Sequence, residues 1–506
     1  MKRKGKHLVL RIFLVVLLAA LVIFALGAWR LFGDIVTAAN TVTQLESGLY
    51  ALEFQGDYGF DDFLAQGGAA SDAEVASYLL QFLSKGFYHP DTTPVSADFG
   101  CSTLLSPREN GGYVFGRNYD WEPCDAMIVH AKPESGYESI STCCLDFLGF
   151  GEDYRPDASM MSKIQSIAAV YVPLDGMNEA GLMVADLMAG DKEQTHQSSH
   201  AVDLTTTTAI RLLLDRAATV EEAIDLLGQY NMHSSIGSAH HLSIADKNGI
   251  SVVVEYVDGQ MLVTQTPVVT NHYLSSAKPG IGSEQSHQRF DTLMQYAEPT
   301  NSLGMLARLR SVAQFQYPQP EENAEKTMWS IAYDPQKNSA IFCFNEAYDY
   351  SYTLNLGAKS WITPGTLMLP EAPVIQPVQT EVYAEDVAEV LPENCIFFSD
   401  AADSPYANRI MLTFTTDITD FRFLDLDFDI ACDGSLLCKK NIELFHQDKI
   451  TANDPLVVET VMGEILPIRG FSFTDAAGNK RTFNLFLSGK DGSPLVSEWE
   501  NQGSSD

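Results

Sequence analysis

The sequence predicts an α+β protein of more than one domain, and three observations carry that prediction. At 506 residues the chain is too long for one small core. From Cys101 to about residue 357, alternating apolar runs are interleaved with segments of helical period. Beyond Pro364, Pro370, Pro373 and Pro377, only strand-like alternation remains. The expected divisions are an N-terminal run 1–32, an upstream segment 33–100, a mixed body 101–357 and a linker 358–374. A β-rich sandwich 375–500 and a disordered tail 501–506 follow.

The first 30 residues hold six basic side chains (Lys2, Arg3, Lys4, Lys6, Arg11, Arg30) and no acid. Between Arg11 and Arg30 run 18 uncharged residues, Ile12–Trp29, about the minimum for a membrane-spanning helix. Positive charge ahead of the run favours an N-inside orientation. The same run also reads as a signal peptide, with Ala25-Leu26-Gly27 as a small-x-small cleavage site, although it is long for one. The expectation is a single-pass anchor in the cell membrane with an extracytoplasmic body.

The whole chain carries 66 acidic against 32 basic residues. Phosphate recognition needs a basic patch, so nucleic acid is excluded as a partner. The acidity argues mainly for solubility. Eight cysteines include no C-x-x-C pair, so neither a zinc site nor a disulfide-built fold is expected. Cys432 and Cys438 are close enough to bridge across a turn at Gly434.

In chain order, Ser71-Asp72-Ala73-Glu74 is a capping box opening a helix over Val75–Leu83. His89–Pro94 reads as an exposed linker just ahead of Cys101. Cys101–Leu105 and Tyr113–Tyr119 form a hairpin about Asn110-Gly111. With that dipeptide as the turn centre, Cys101 faces Asp120. Arg117 and Asp120, three apart, point to opposite faces of a regular strand, so the strand must bend near Asn118 for both to serve Cys101.

Ile167–Val172 and Leu182–Leu187 read as strands around the turn Asp175–Gly181. Leu204–Ala218 and Val220–Tyr230 read as helices, the second capped by Thr219. His241–Ala245 and Ile250–Tyr256 form a hairpin, and Met261–Thr270 is a further strand ending at Asn271. Helices follow at Ser286–Tyr296 and Ser302–Val312, and Trp329–Tyr333 with Ala340–Phe344 closes the body. In the C-terminal part Arg409–Thr415, Arg422–Ile430 and Thr482–Ser488 alternate as antiparallel strands.

Chemistry concentrates at Gly100-Cys101 and the string Gly116-Arg117-Asn118-Tyr119-Asp120-Trp121. A cysteine in an apolar strand reads by itself as core. A thiol with a guanidinium and a carboxylate on the neighbouring strand also reads as a nucleophile. If the Gly100–Cys101 bond is cut, the freed α-amine, with a reference pKa of about 7.7–8.0, supplies a base beside the thiol. Arg117 favours the thiolate and Asp120 orients the thiol or the amine. Glycine before the nucleophile leaves room for an attackable peptide.

These residues resemble a known family. Cys101, Arg117 and Asp120 are similar in order and spacing to the nucleophile region of the choloylglycine hydrolases, which include bile-salt hydrolases and penicillin V acylases. The internal Gly100-Cys101 is more similar to the related acyl-coenzyme A:isopenicillin N acyltransferase branch, where a longer pro-segment is cut by self-processing. The resemblance runs over roughly residues 50–355. It implies a linear amide C–N hydrolase of N-terminal-nucleophile type with a four-layer αββα sandwich. It makes 33–100 a pro-segment and Gly100–Cys101 the self-cleavage bond.

Asp175–Leu182 resembles the family's signature turn, read mainly as a tight turn between core strands. Val269-Thr270-Asn271-His272 resembles the segment whose Asn completes the oxyanion hole. Ser283–Phe290 resembles a Ser-rich segment that places Arg289 as the distal active-site arginine; a surface helix arginine is the alternative. One departure stands out. Where bile-salt hydrolases carry a further Asn, this chain has Ala185-Asp186-Leu187-Met188, so the second oxyanion donor is expected to be a backbone N–H.

Elsewhere, His240-His241 point to opposite strand faces and cannot chelate one ion, and His196 with His200 lies in a polar loop. Cys143-Cys144 reads as core. The sequence therefore predicts a cysteine amidase with catalytic residues Cys101, Arg117, Asp120, Asn271 and Arg289, no metal and no cofactor. Its expected partners are a small-molecule N-acyl amide as substrate and the membrane, through the N-terminal run. A homo-oligomer is compatible with the sequence. An acyltransferase of the same fold, or a non-catalytic surface-binding protein, is the alternative.

Overall fold

The computed structural model describes residues 29–30, 32–84, 100–372 and 382–498, apart from 152–153, 191–192, 279–280, 297, 318–324, 388–390, 393–394, 402–403, 405, 431–435, 453, 463–467, 476–479 and 489–491. The chain divides into two compact units, residues 1–374 and 375–506.

The strands of the first unit are β1 (Thr43–Glu46), β2 (Leu49–Gln55), β3 (Gly100–Pro107), β4 (Tyr113–Trp121), β5 (Ala126–Lys132), β6 (Ser139–Cys144), β7 (Asp175–Asn178) and β8 (Leu182–Met188). A small parallel pair, β9 (Val202–Thr205) and β10 (Tyr230–His233), stands apart. Then come β11 (His240–Asp246), β12 (Ser251–Val257), β13 (Gln260–Gln265), β14 (Val268–Val269), β15 (Lys326–Asp334), β16 (Ser339–Phe344), β17 (Tyr350–Asn355) and β18 (Ile362–Thr366). One sheet has nine strands in the order β1-β2-β5-β6-β7-β8-β11-β12-β13. The other has seven in the order β14-β3-β4-β15-β16-β17-β18.

Burial on both faces explains the near-continuous apolar runs. On β8, Leu182 and Val184 enter one core while Met183, Ala185 and Leu187 enter another. The core between the sheets joins Ile128, Met183 and Val253 of the first to Phe115, Trp329 and Ile331 of the second. The outer face of the first sheet lies against helices α1 (Asp72–Ser84), α2 (Thr206–Arg216) and α3 (Val220–Leu227). Side chains such as Ile210 and Leu213 are fully buried there, each contributing about 1.5–3 kcal/mol. The second sheet carries α4 (Glu284–Met294) and α5 (Ser302–Arg310) on its outer face. A Cβ on Gly116 of β4 would stand 2.5 Å from Met305 Sδ, so glycine lets α5 sit close. The layers run helix, sheet, sheet, helix.

The N-caps behave as their residue types dictate. Ser71 Oγ accepts from Glu74 N at 3.3 Å ahead of α1, and Thr219 Oγ1 accepts from Glu222 N at 3.2 Å at α3.

Several expectations need correction. Ile167–Tyr171 is a 3-10 helix rather than a strand, a distinction that a short apolar run cannot make. Met261–Thr270 is two strands of different sheets, broken at Pro267, which lacks an N–H for a ladder. Residues 358–374, expected as a linker, include β18, which pairs with β17. The segment 33–100 contributes strands to the first sheet: β2 lies between β1 and β5, parallel to β5 from Leu49↔Ala126 to Gln55↔Lys132.

The single-pass membrane placement is also corrected. Among the described residues no helix is long and apolar enough to cross a membrane. Of the expected span only Trp29 is described; the rest lies outside the described residues, as do the expected linker His89–Pro94 and the tail 501–506.

The second unit contains two sheets. Val382–Asp386 (β19), Ile396–Ser399 (β20), Ala407–Phe414 (β21) and Leu456–Val461 (β24) order as β19-β21-β24-β20. Ile418–Ile430 (β22), Leu436–Ile450 (β23), Arg469–Thr474 (β25), Lys480–Leu487 (β26) and Pro494–Glu498 (β27) order as β23-β22-β25-β26-β27. Both sheets feed one core, in which the Phe471, Phe473 and Phe483 rings stack. Cys432 lies outside the described residues, as does the side chain of Cys438.

Candidate active site

The site is built first by the β3–β4 hairpin. Its loop is five residues, 108–112, closed by Arg108 N donating to Gly112 O at 2.9 Å. Gly111 and Gly112 take φ of 86° and 80°, a region L side chains avoid. The longer loop shifts the register by one from the Asn-Gly-centred expectation: Cys101 faces Tyr119, and Gly100 faces Asp120. Cys101, Arg117 and Tyr119 therefore share the face between the sheets. Asn118 and Asp120 turn to the helix face, where Asn118 Nδ2 donates to Leu309 O at 2.8 Å. β15 carries an extra residue, Met328, opposite the Tyr119–Asp120 step, but β4 keeps its alternation against β3, so the expected bend near Asn118 does not bring the Asp120 side chain to Cys101.

Arg117 is fully buried beside the thiol, with Nη1 3.7 Å from Cys101 Sγ. Its Nε stands 2.9 Å from Asp175 Oδ2, and Nη2 donates to Asp186 O at 2.7 Å. Asp175 in turn accepts from Thr142 Oγ1 at 2.7 Å, Trp329 Nε1 at 3.0 Å and Tyr333 OH at 2.5 Å. The guanidinium is thus locked by a carboxylate of the opposite sheet. Sequence reasoning treated Asp175 only as part of a turn; its role depends on a pairing with a residue 58 positions away.

The break at Pro267 carries the chain from the first sheet to β14, at the edge of the second sheet beside β3. Asn271 then reaches the nucleophile: its Oδ1 accepts from Cys101 N at 2.5 Å and from Arg289 Nη2 at 2.8 Å, and its Nδ2 donates to Met188 O at 3.0 Å. Arg289, on α4, is buried rather than at the surface, and its Nη1 donates to Cys101 O at 2.5 Å and Ser102 Oγ at 2.7 Å. The carboxylate of Asp120 is 3.5 Å from Arg289 Nη1 and accepts from Thr327 Oγ1 at 2.6 Å and Gln314 Nε2 at 3.0 Å. The Asp120 backbone N–H favours the thiolate form of Cys101.

In the uncut chain, burial pushes the Cys101 thiol up to about 12 against the pull of Arg117. Burial likewise pushes the Asp120 carboxyl up to about 6, although Arg289, Thr327 and Gln314 favour its ionised form.

A second buried pair borders the thiol pocket. His240 Nδ1 lies 2.9 Å from Asp186 Oδ1, and Nε2 lies 3.0 Å from Ser235 O. A carboxylate and a carbonyl only accept, so both ring nitrogens are placed to donate, an arrangement that favours the protonated imidazole. Burial pushes the His240 imidazole down, but Asp186 and the Ser235 carbonyl outweigh it and raise it on balance. His241 points the other way, to Glu255 and Thr270 O, as strand alternation requires. His240 was not expected at the site, and Asp186 was noted only within the segment Ala185–Met188; the β8–β11 pairing brings the two together.

Cys143 and Cys144 are core. His196 lies beside His233 rather than forming a pair with His200. Among the described residues no group of three His, Cys, Asp or Glu side chains could hold a metal.

Against this geometry, residues 163–348 match the family described as Acyl-coenzyme A:6-aminopenicillanic acid acyl-transferase. The matched stretch includes Asp175, Asp186, His240, Asn271 and Arg289; Cys101, Arg117 and Asp120 precede it. The chain is similar to a mutant conjugated bile acid hydrolase from Clostridium perfringens, at 15% identity and a TM-score of 0.39 over 54% of this chain and 99% of that one. It is similar also to penicillin V acylase from Agrobacterium tumefaciens, at 17% identity and a TM-score of 0.36 over 54% of this chain and 95% of that one. No curated protein matches the chain.

Proposed function

We propose that this chain is a cysteine amidase of N-terminal-nucleophile type, which cuts itself at Gly100–Cys101 and then hydrolyses linear C–N amides of N-acyl compounds. The observation that supports this most is the convergence on Cys101: Arg117 at Sγ, Asn271 at the nitrogen and Arg289 at the carbonyl oxygen.

In the self-cleavage step Sγ attacks the Gly100 carbonyl carbon, the C–N bond to Cys101 breaks, and the thiol proton passes to the departing nitrogen. Water then hydrolyses the Gly100 thioester, leaving a Gly100 carboxylate and a free Cys101 amine and thiol. In turnover the amine takes the thiol proton, and Arg117 favours the thiolate. The thiolate attacks the acyl carbonyl. The leaving amine takes a proton from the Cys101 ammonium, and water, activated by the amine, hydrolyses the thioester.

In this reading Asn271 Oδ1 holds the Cys101 amine, while Asn271 Nδ2 and a backbone N–H serve the oxyanion. Arg289 fixes Asn271 and the Cys101 carbonyl. Asp120 holds Arg289 and presents its N–H to the thiol.

The test mixes the purified protein with an N-acyl para-nitroanilide. Released nitroaniline and a transient acyl mass on the Cys101 fragment are expected, both absent in Cys101→Ala. The family match favours a second reading, in which an amine replaces water at the thioester. Added glycine ethyl ester would then yield a new amide in place of free acid.

A further inference from the structure

The thiol pocket does not end at the thiol. Phe147, Leu174, Asp186, Ile236 and His240 line both the small pocket at Cys101 and a cavity of about 350 Å³ behind it. That cavity is walled by Val75, Ala76, Leu79, Leu80 and Leu83 of α1, a helix that lies ahead of the scissile bond. α1 also sets the neck. Asp72 Oδ2 accepts from Ile236 N at 2.7 Å, and Ile236 holds φ of 45°, a left-handed conformation that a β-branched residue adopts only under constraint. The His240 imidazole and the Asp186 carboxylate stand at the same neck with Ile236.

We infer that this cavity is the acyl subsite, that it takes an unbranched apolar acyl chain, and that α1, upstream of the Gly100–Cys101 bond, sets the chain length. The inference rests on the amidase reading and names its substrate class. The α1 side of the wall is aliphatic, and Asp186 and His240 stand at the neck, which suits a chain whose polar end is at the thiol. At roughly 30 Å³ per water-sized group, the volume suits a chain on the order of ten atoms. The position of α1 requires the upstream fragment to remain in the working enzyme.

The experiment uses the full chain and an acyl series (acetyl, hexanoyl, decanoyl) on para-nitroaniline, with a parallel series of amines of increasing alkyl length on one acyl group. Each buried methylene contributes about fourfold, so kcat/KM rises on the order of 100-fold from hexanoyl to decanoyl in the wild type. In Ala76→Phe that ratio falls at least about tenfold, and in Leu83→Ala the optimum moves to longer chains. Unchanged acyl profiles, or a shift confined to the amine series, would overturn the inference.

If the wild type turns over no amide at all, the amidase reading fails while the cavity is still decided by binding. Decanoate should bind Cys101→Ala and bind at least about tenfold more weakly to Cys101→Ala/Ala76→Phe. Equal affinity in the two, or no binding to either, overturns the inference.

Discussion

The backbone N–H of Cys101 donates to Asn271 Oδ1 across 170 residues of sequence, at 2.5 Å. That nitrogen is the one self-cleavage would free. Replacing Asn271 by Ala removes the acceptor and leaves Arg289 Nη2 without its partner. We predict a fall in kcat of about 10²–10³ with little change in KM, measured by steady-state kinetics on processed protein.

Arg117 and Asp175 are both fully buried and face one another across the two sheets. Arg117→Met strands the Asp175 carboxylate and should cost about 3–5 kcal/mol in urea denaturation. Arg117→Met/Asp175→Asn should be more stable than Arg117→Met alone, by at least about 1 kcal/mol, because the uncompensated charge is gone. Neither variant should process normally.

Burial raises the Asp120 carboxyl from 3.8 to about 6. Between those values the native chain holds a proton that the unfolded chain has released, so this group makes stability fall as pH rises through the window. The contribution is on the order of 3 kcal/mol, present below about pH 4 and lost above pH 6. Urea midpoints from pH 4 to 7.5 should show that slope in the wild type minus Asp120→Asn difference. A pH-independent difference would contradict the assignment.

After cleavage the upstream fragment should stay bound. β2 is interior to its sheet, and Leu49, Tyr50, Leu52 and Phe54 are fully buried. The two fragments should co-elute in native size exclusion and separate only in denaturant. Release of the fragment under native conditions would contradict this.

Much of the site was legible from short-range pattern. The strand bearing Gly116–Trp121 and the thiol at Cys101 sit in one hairpin, so proximity followed from the turn between them. Their register did not, because Gly111 and Gly112 at positive φ make a five-residue loop where Asn-Gly alone suggests two. Asn271 and Arg289 were named through resemblance, and the structure places both at Cys101. Asp175, Asp186 and His240 were missed as site residues because only long-range strand pairing gives them partners. The split of Met261–Thr270 between two sheets was hidden by an apolar run that reads as one strand despite Pro267. The membrane anchor rested on residues 12–29 alone, and no described helix supports it.

In the proposed mechanism Cys101 becomes an N-terminal nucleophile. The most direct measurement is the intact mass and N-terminal sequence of the purified chain beside Cys101→Ala. A fragment beginning at Cys101 is expected in the wild type, and an uncut chain in the variant. A wild-type chain that stays whole, or a cut that persists in Cys101→Ala, would contradict that mechanism.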